Sequence, residues 1–347
     1  MQTEEAKTRG LSATRATLND VARLAGVSKA TASRVLSGSR DRVSPELAGR
    51  VAEAAERLSY VPNPHAQALA TSASPLVAVI IHDVGDPYFS EIARGALRVA
   101  ADEDRLVVIC STFRDPAREV AYVREMRAQR VQAIVVAGSS TLGLDVEGGL
   151  AAELDSFHRD GGRVVMMLAG HGHPAVMPDN RGGGRQAARH LLGLGHTRTG
   201  VMAGPPHLHS VGDRIGGFAE ALEEEGAAPP VVIHTDFTRE GGARAAEELG
   251  ETAPEVTGVL ALNDLMAVGA IRQFTAGGRP VPESISVMGF DDIPLAGDID
   301  PGLTTIRVPM EEMGAAAMRM ALEPPGEDGI WVFDTELVVR GSTGVAS

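Results

Sequence analysis

Residues 17–36 read TLNDVARLAGVSKATASRVL, and this stretch determines the fold of the first part of the chain. Thr17 and Asp20 have the spacing of a capping box, in which each side chain accepts a hydrogen bond from the other residue's backbone. Gly26 ends the helix that they begin, and Ser28 is a suitable N-cap for a second helix over residues 29–36. The first helix is expected to bury the apolar residues Val21, Ala22, Leu24 and Ala25.

The second predicted helix has two different faces. Ala32, Val35 and Leu36 recur at helical spacing and are expected to pack inward. The opposite face carries small, polar and cationic side chains that suit a helix lying in a DNA major groove, namely Lys29, Ala30, Ser33 and Arg34. Ser44 and Pro45 predict the start of a third helix. Many three-helix packings share this pattern without contacting DNA, so the pattern by itself leaves DNA binding open.

The charge of the chain is unevenly distributed. Residues 1–74 contain ten Lys and Arg against seven Asp and Glu, whereas the whole chain has a net charge of −14. A mildly basic first fifth on an acidic body suggests a small module that binds a polyanion. The alternative interpretation is that the extra positive charges form an ordinary solvated surface.

The composition of the 347 residues indicates a globular cytoplasmic protein. The length suggests two to three domains, and hydrophobic residues make up 44% of the chain, which is enough to form buried cores. The sequence has no run of 18 apolar residues, and its first ten residues lack the apolar segment of a secretory signal. Cys110 is the single cysteine, which excludes an internal disulfide and a cysteine-based zinc site.

Beyond residue 75, short apolar segments alternate with amphipathic helical segments such as 116–130 and 185–194. Continuous apolar strands that alternate with helices indicate parallel sheets in an α/β architecture. A body of this size with this many strands favours two lobes with a cleft between them. The predicted strands are Leu76–Ile81, Leu106–Ser111, Val131–Ala137, Arg163–Leu168, Thr199–Ala203, Val231–Thr235, Val256–Leu262 and Ile285–Phe290.

Polar and aromatic residues follow the ends of several predicted strands. Ligands of such sheets bind beside the carboxyl ends of the strands. Carboxylates accept hydrogen bonds from hydroxyls and aromatic rings cover the apolar face of a sugar, so this set suits a polyhydroxylated ligand. Each polar residue could instead cap the helix that follows it. The residues are Asp83, Asp86, Tyr88, Phe89, Ser139, Ser140, Asp236, Phe237, Asn263, Asp264, Asp291 and Asp292.

Residues 17–36 resemble the headpiece of the lactose/galactose-repressor (LacI/GalR) family of bacterial transcription regulators. Further similar stretches are RVSP at 42–45, LSYVPN at 58–63, DRIGGF at 213–218 and PESISVMGFDD at 282–292. The resemblance implies an N-terminal all-α helix-turn-helix headpiece followed by a two-lobed α/β core with parallel sheets. This core is of the kind found in periplasmic sugar-binding proteins.

The resemblance also implies four segments along the chain. Residues 1–15 are expected to form a flexible tail, 16–61 the DNA-binding domain, 62–74 a hinge helix and linker, and 75–347 the effector-binding and dimerisation core. Within the core, the two lobes are expected to comprise approximately 75–175 with 306–333, and 176–305 with 334–347.

The implied function is that of a transcription regulator, most simply a repressor, which binds a palindromic operator as a homodimer. Lys29, Ala30 and Arg34 are expected to contact base edges, and Arg34 to a guanine is the expected specific contact. Thr31, Ser33 and Ser37 are expected to bind phosphates. In the hinge, the resemblance implies that Leu69 inserts as a wedge into the minor groove and that Ala66 allows close approach to the groove. It also implies that Asn63 and Gln67 contact the sugar–phosphate backbone.

A small-molecule effector, a sugar or sugar derivative, is implied between the lobes. By the resemblance, three polar residues grip its hydroxyls and three aromatic residues stack on it, and the strand-end pattern adds Asp86 to the site. Gly212 stands where the family usually has a further arginine, and residues 167–169 lack a frequent acidic residue, which leaves the effector's identity open. The polar set is Arg214, Asn263 and Asp291, and the aromatic set is Tyr88, Phe89 and Phe237.

Other chemistry has little support in the sequence. The pairs His171/His173 and His207/His209 lie in loops rich in glycine and proline without a thiolate partner, so no metal site is expected. Nucleotide-binding loops and common hydrolase motifs are absent, so neither a cofactor nor catalysis is expected. The alternatives that stay open are a solute-binding protein without a regulatory role and a sugar-converting enzyme.

Overall fold

A computed structural model of the protein describes residues 16–36, 43–61, 75–138, 149–167, 172–323 and 329–346. The chain forms two compact units, which divide after Ser74. The expected tail at 1–15 and the expected hinge at 62–74 lie outside the described residues.

The described part of the first unit contains three helices, α1 (Leu18–Ala25), α2 (Lys29–Leu36) and α3 (Pro45–Arg57). The predicted capping box is confirmed, because the backbone N–H of Thr17 donates to Asp20 Oδ2 at 3.0 Å and that of Asp20 donates to Thr17 Oγ1 at 3.4 Å. Gly26 ends α1 in the left-handed conformation, with φ of 64°. Ser44 caps α3, as predicted.

A small aliphatic core holds these three helices together. Leu24 was expected in this core but is 45% exposed. Successive helical residues are about 100° apart around the helix axis, so Val21, Ala22 and Ala25 share one face. Leu24 lies outside this face and is turned toward solvent. The buried residues are Val21, Ala22, Ala25, Ala32, Val35, Val51, Ala54 and Ala55.

The second unit contains two six-stranded sheets. The order is β11-β5-β4-β3-β1-β2 in the first sheet and β12-β10-β9-β8-β6-β7 in the second, and the β10–β12 pair is antiparallel. All eight predicted strands are present, with ends that differ by up to two residues. These strands are β1 (Leu76–Ile81), β2 (Leu106–Ser111), β3 (Ala133–Ala137), β4 (Arg163–Met166), β6 (Thr199–Ala203), β7 (Val231–His234), β8 (Gly258–Ala261) and β9 (Ser286–Asp291). Four further strands were not predicted, namely β5 (Ala175–Pro178), β10 (Thr304–Arg307), β11 (Ile330–Phe333) and β12 (Glu336–Val338).

Helices cover the sheets, and each sheet with its helices forms one lobe. The sequence predicts that the chain crosses between the lobes after residues 175 and 305. Because β5 belongs to the first sheet and β10 to the second, both crossings lie a few residues later. The helices are α4 (Pro87–Asp102), α5 (Pro116–Ala128), α6 (Gly149–Arg159), α7 (Asn180–Gly193), α8 (His209–Glu224), α9 (Arg239–Thr252), α10 (Asp264–Ala276), α11 (Leu295–Asp298) and α12 (Met310–Leu322).

Glycines allow α4 and α12 to pack backbone against backbone in the first lobe. A Cβ atom on Gly95 would lie 1.9 Å from the carbonyl oxygen of Glu311, and one on Gly314 would lie 2.0 Å from that of Ile92. Both distances are far below van der Waals contact. The clashing atoms belong to the main chain of the other helix, so a change of side-chain rotamer cannot relieve the clash. The contact therefore requires glycine at both positions.

We predict that Gly95→Ala destabilises the protein by about 2 kcal/mol or more, because the added methyl group forces the two helices apart. Urea unfolding followed by circular dichroism measures this loss. Gly250→Ala in α9 is the matched control, since a Cβ there meets nothing within 4 Å. It is expected to raise the free energy of unfolding by about 0.5–1 kcal/mol. Equal effects of the two substitutions would contradict the packing argument.

Candidate functional site

The outer face of α2 carries the predicted DNA-contacting residues. Ala32 and Val35 are buried, whereas Lys29, Ala30 and Arg34 are exposed. Thr31 and Ser33 are half-buried at the sides of this face, and the Thr31 hydroxyl lies 2.8 Å from Ser28 Oγ. Helical geometry thus keeps the small and cationic side chains together on the solvent side. The other predicted DNA contacts lie outside the described residues: Ser37, Asn63, Ala66, Gln67 and Leu69.

A cavity of about 410 Å³ lies between the two lobes, beside the carboxyl ends of the strands of both sheets. We call it the interlobe cavity. The first lobe contributes residues that follow β1, β2, β3 and β4, and the second contributes residues that follow β7 and β8 and the last residue of β9. All seven residues predicted for an effector site line it: Asp86, Tyr88, Phe89, Arg214, Phe237, Asn263 and Asp291. Ser139 and Ser140, which also follow a predicted strand, lie outside the described residues.

Arg214 is the most constrained of these residues. It lies on α8 and is only 5% exposed. Its Nε donates to Asn180 Oδ1 at 2.8 Å, one terminal nitrogen donates to the carbonyl oxygen of Leu262, and the other lies 3.4 Å from Asp291 Oδ1. The guanidinium carbon lies 3.7 Å from the ring centroid of Phe290. A buried guanidinium needs such partners, because leaving its donors unpaired would be costly.

Asp291 ends β9 in a strained conformation, with φ of 113°, and is 4% exposed. This left-handed region disfavours residues with a Cβ atom, and such strain is frequent at binding sites. Burial raises the pKa of the Asp291 carboxyl well above its ordinary value, and the charge of Arg214 opposes this shift. Burial also raises the pKa of the Tyr88 phenol, with the charge of Asp291 acting in the same direction. These two groups therefore form a desolvated polar wall.

Two of the polar residues cap helices and line the cavity at the same time. Asn263 Oδ1 accepts from the backbone N–H of Met266 at 2.9 Å, at the start of α10. Asp86 Oδ1 accepts from the backbone N–H of Tyr88 at 3.0 Å, at the start of α4. The alternative interpretation of these residues as helix caps is therefore confirmed. Capping fixes each side chain while it faces the cavity, so the two roles are compatible.

Aromatic rings form two walls of the cavity. Tyr88 and Phe89 meet edge to face with centroids 5.1 Å apart. Phe237 lies half-buried in the second lobe against Gly204, where a Cβ atom would come within 2.2 Å of the ring. The rings are therefore held in place by their neighbours before any ligand enters. Such preorganised apolar faces suit the face of a sugar ring.

Sequence reasoning missed several residues that line the interlobe cavity. His82 directly follows β1 and Arg114 follows β2 by three residues, so the strand-end pattern could have found both. Asp213 stands beside Arg214 in the quoted DRIGGF stretch. Asn180 follows β5, a strand that was not predicted, so no sequence signal marked it.

His82 is buried beneath the cavity. Its Nδ1 lies 3.3 Å from Thr112 Oγ1 and 3.7 Å from Glu119 Oε1. Burial, with the nearby charge of Arg114, lowers the pKa of this imidazole to about 3. His82 therefore contributes a neutral ring to the cavity floor at physiological pH.

Comparisons with known proteins agree with this architecture. Residues 17–63 match the model of bacterial regulatory proteins of the lacI family, and residues 188–343 match that of a periplasmic binding protein-like domain. The chain is 36% identical over 311 residues to the HTH-type transcriptional regulator GalS of Salmonella typhimurium (strain LT2), covering 88% of this chain and 89% of GalS. The chain belongs to the lacI family of bacterial regulatory proteins. The solute-binding and enzyme alternatives are thereby set aside, since members of this family are transcriptional regulators.

Solved structures of lacI-family regulators share the fold. A complex of the transcriptional regulator CelR with cellobiose has a TM-score of 0.70 and 30% identity, covering 94% of this chain and all of CelR. A lac repressor dimer bound to operator and the anti-inducer ONPF has a TM-score of 0.84 and 25% identity, covering 95% of this chain and all of that chain. The predicted fold class is confirmed.

The described part of this lacI-family chain lacks both a metal site and a membrane-spanning helix. Among the described residues, no group of three His, Cys, Asp or Glu side chains is placed to hold a metal ion. None of the described helices is long and apolar enough to cross a bilayer.

Asp264 begins α10 beneath the cavity and is fully buried. Its Oδ1 accepts from Thr305 Oγ1 at 2.6 Å and its Oδ2 accepts from the backbone N–H of Ile293 at 2.7 Å. Burial nevertheless raises the pKa of the Asp264 carboxyl from 3.8 to about 7, because desolvation outweighs these hydrogen bonds. The folded protein therefore keeps this proton over a pH range in which the unfolded chain has lost it.

We predict that Asp264 makes the protein less stable as the pH rises from about 4 to 7. In that interval the folded state binds more protons than the unfolded state, so raising the pH favours unfolding, by up to about 4 kcal/mol. Chemical unfolding at pH 5 and pH 7 measures this effect. The free energy of unfolding is expected to fall less between these two pH values in Asp264→Asn than in the wild type. Asp102→Asn, at an exposed position on α4, is the control. An Asp264→Asn variant with the pH slope of the wild type would contradict the assignment.

Proposed function

We propose that this lacI-family regulator is a repressor that binds a palindromic operator as a homodimer, and that an uncharged sugar bound in the interlobe cavity controls its affinity for the operator. The observation that carries the proposal is the cavity itself, where carboxylates, a guanidinium and aromatic rings from both lobes converge. The CelR complex with cellobiose and the operator-bound lac repressor dimer support it by similarity.

The charges that line the cavity favour an uncharged ligand over a phosphorylated one. Asp86, Asp213 and Asp291 contribute carboxylates, whereas Arg114 and Arg214 contribute the two guanidinium groups. Arg214 is already engaged with Asn180, Leu262 and Asp291. A phosphate would meet three acidic side chains, whereas hydroxyls can donate to their oxygens and accept from a guanidinium. The set therefore fits a polyol better than a sugar phosphate.

The proposed mechanism couples the cavity to the operator through the segment between the two units. A ligand that touches both lobes stabilises one arrangement of the lobes, and this arrangement sets the spacing of the two hinge segments of the dimer. Leu69 then enters or leaves the minor groove. This coupling requires that the ligand binds the two arrangements with different affinities.

We place the protein in the cytoplasm, where its operator is accessible.

We predict that Arg34→Ala weakens operator binding by about 1–3 kcal/mol, because a bidentate contact to a guanine is lost. Selection of binding sites from a random DNA library defines the operator, and fluorescence anisotropy measures affinity for all four bases at each position. The substitution is expected to relax specificity at one symmetric position. An equal loss on every DNA sequence would show that Arg34 binds the backbone and does not read bases.

We predict that Asp291→Asn abolishes the effector response and preserves operator binding. The change replaces one carboxyl oxygen, which can accept from ligand hydroxyls, by an amide nitrogen, while the amide oxygen still faces Arg214. A thermal-shift screen of sugars, sugar phosphates, purines and nucleosides identifies a binding ligand, because a bound ligand raises Tm. Calorimetry with this ligand is then expected to show that Asp291→Asn binds it at least about tenfold more weakly than the control Asp298→Asn, which changes an exposed residue. An unchanged affinity would remove Asp291 from the site.

A further inference from the structure

Arg114 enters the interlobe cavity from a strained turn of the first lobe. Phe113 and Arg114 both have left-handed backbones, with φ of 54° and 59°. Two successive non-glycine residues in this region are unfavourable and require support from the surrounding structure. The backbone N–H of Phe113 donates to the carbonyl oxygen of His82 at 2.7 Å, and that of Thr112 donates to Ile81 at 2.9 Å. The turn is therefore fixed to the end of β1.

This turn sends two neighbouring side chains in different directions. Phe113 is 60% exposed and does not line the cavity, whereas Arg114 lines it. A strained backbone that leaves a phenylalanine in solvent has no evident benefit for packing. Its consequence is that a guanidinium reaches the cavity from the lobe opposite Arg214.

Arg114 reaches across the cavity to an aromatic wall of the second lobe. Its guanidinium carbon lies 5.5 Å from the ring centroid of Phe237, within the range of a cation–π contact. The backbone of Gly204 packs against this ring, as described above. Arg114 therefore lies over the same aromatic ring on which we expect a sugar to stack, so its guanidinium can reach hydroxyls at the edge of that sugar.

The hydrogen-bond donors of Arg114 have no partner in the part of the chain that the structure describes. Among the described residues, no carboxylate lies within 4.0 Å of its guanidinium and no hydrogen bond to it is formed, although the charges of Asp86, Asp83 and Asp236 act on it. Arg214 differs, since it is bound to three partners. Gly212 is exposed, and a Cβ there would meet nothing within 4 Å. The second lobe thus lacks one expected guanidinium, while the first lobe supplies another.

We propose that Arg114 is a specificity-determining residue that donates hydrogen bonds to two adjacent hydroxyl oxygens of the effector, and so replaces from the first lobe the guanidinium absent at Gly212. The proposal rests on the sugar-binding function proposed above. A planar guanidinium fork suits two neighbouring oxygens, so the ligand class is a sugar with a vicinal diol next to the face that stacks on Phe237. The same sugar contacts Asp291 and Arg214 in the second lobe, so it bridges both lobes.

Calorimetric titration of four purified full-length proteins tests this proposal: wild type, Arg114→Ala, Arg114→Lys and Arg118→Ala. Arg118 is a matched control, because its guanidinium carbon lies 5.7 Å from the ring centroid of Phe113 and the residue does not line the cavity. The probes are D-ribose, D-galactose and cellobiose, together with the deoxy analogue that lacks one hydroxyl of the diol in whichever sugar binds. Equal Tm values of the Arg114→Ala and Arg118→Ala proteins without ligand check folding.

The expected result is a Kd that rises about 10- to 100-fold in Arg114→Ala and less than twofold in Arg118→Ala. Arg114→Lys is expected to fall between them, since it keeps the charge and loses the fork. Removing the diol hydroxyl is expected to weaken binding to the wild type and to leave binding to Arg114→Ala unchanged.

Three other outcomes would overturn the proposal in distinguishable ways. If Arg114→Ala binds the sugar as tightly as Arg118→Ala does, the Arg114 contact is wrong and the sugar-binding function stands. If Arg114→Ala binds more tightly than the wild type, Arg114 competes with the sugar for Phe237. If no uncharged sugar binds the wild type, the proposed effector class fails and the diol contact fails with it.

Discussion

The burial of the Arg214 charge is the constraint on which the cavity depends. A guanidinium that is 5% exposed is tolerated only if its donors are matched, and the partners come from three separate parts of the chain. Asn180 starts α7, the Leu262 carbonyl follows β8, and Asp291 ends β9 in a strained conformation. Phe290 supports the flat face of the same group. The second lobe must therefore assemble correctly around this one cation before its side of the cavity exists.

The first lobe builds its side of the cavity by different means. Its wall consists of a helix cap at Asp86, two rings in edge-to-face contact and a strained turn at Arg114, above a neutral His82. None of these groups is tied into a network like that of Arg214. A ligand would thus meet one wall whose charges are already balanced and another whose donors are still available. This asymmetry allows a ligand to be held by one lobe and sensed by the other.

The sequence predicts the fold well where periodicity is strong. The three helices of the first unit and eight strands of the second carry continuous apolar faces, so local pattern and tertiary packing agree. The four missed strands are short, of three or four residues, and all four lie at or next to a sheet edge. Strands of this kind acquire their conformation from distant partners: β11 pairs with β5, more than 150 residues earlier. No local pattern encodes that pairing.

The residues of the site could be predicted where they stand at or just after the carboxyl end of a predicted strand. All seven predicted residues line the cavity, because parallel strands bring their carboxyl ends to one edge. Arg114 and His82 obey the same rule and were overlooked, whereas Asn180 depends on a missed strand. Leu24 shows the opposite error, since its apolar character suggested burial that the helix geometry does not allow. The DNA-contacting face of α2 follows directly from helical spacing.

The order of strands in the two sheets also has a consequence for synthesis of the chain. β5 receives its neighbour β11, and β10 receives β12, only when residues 330–338 have been made. Until then each nascent lobe presents a strand whose backbone amides and carbonyls lack part of their final pairing, which is a site for aggregation. Both lobes are thus completed by one short segment, and a ribosome-bound chain exposes these two strand edges until that segment emerges.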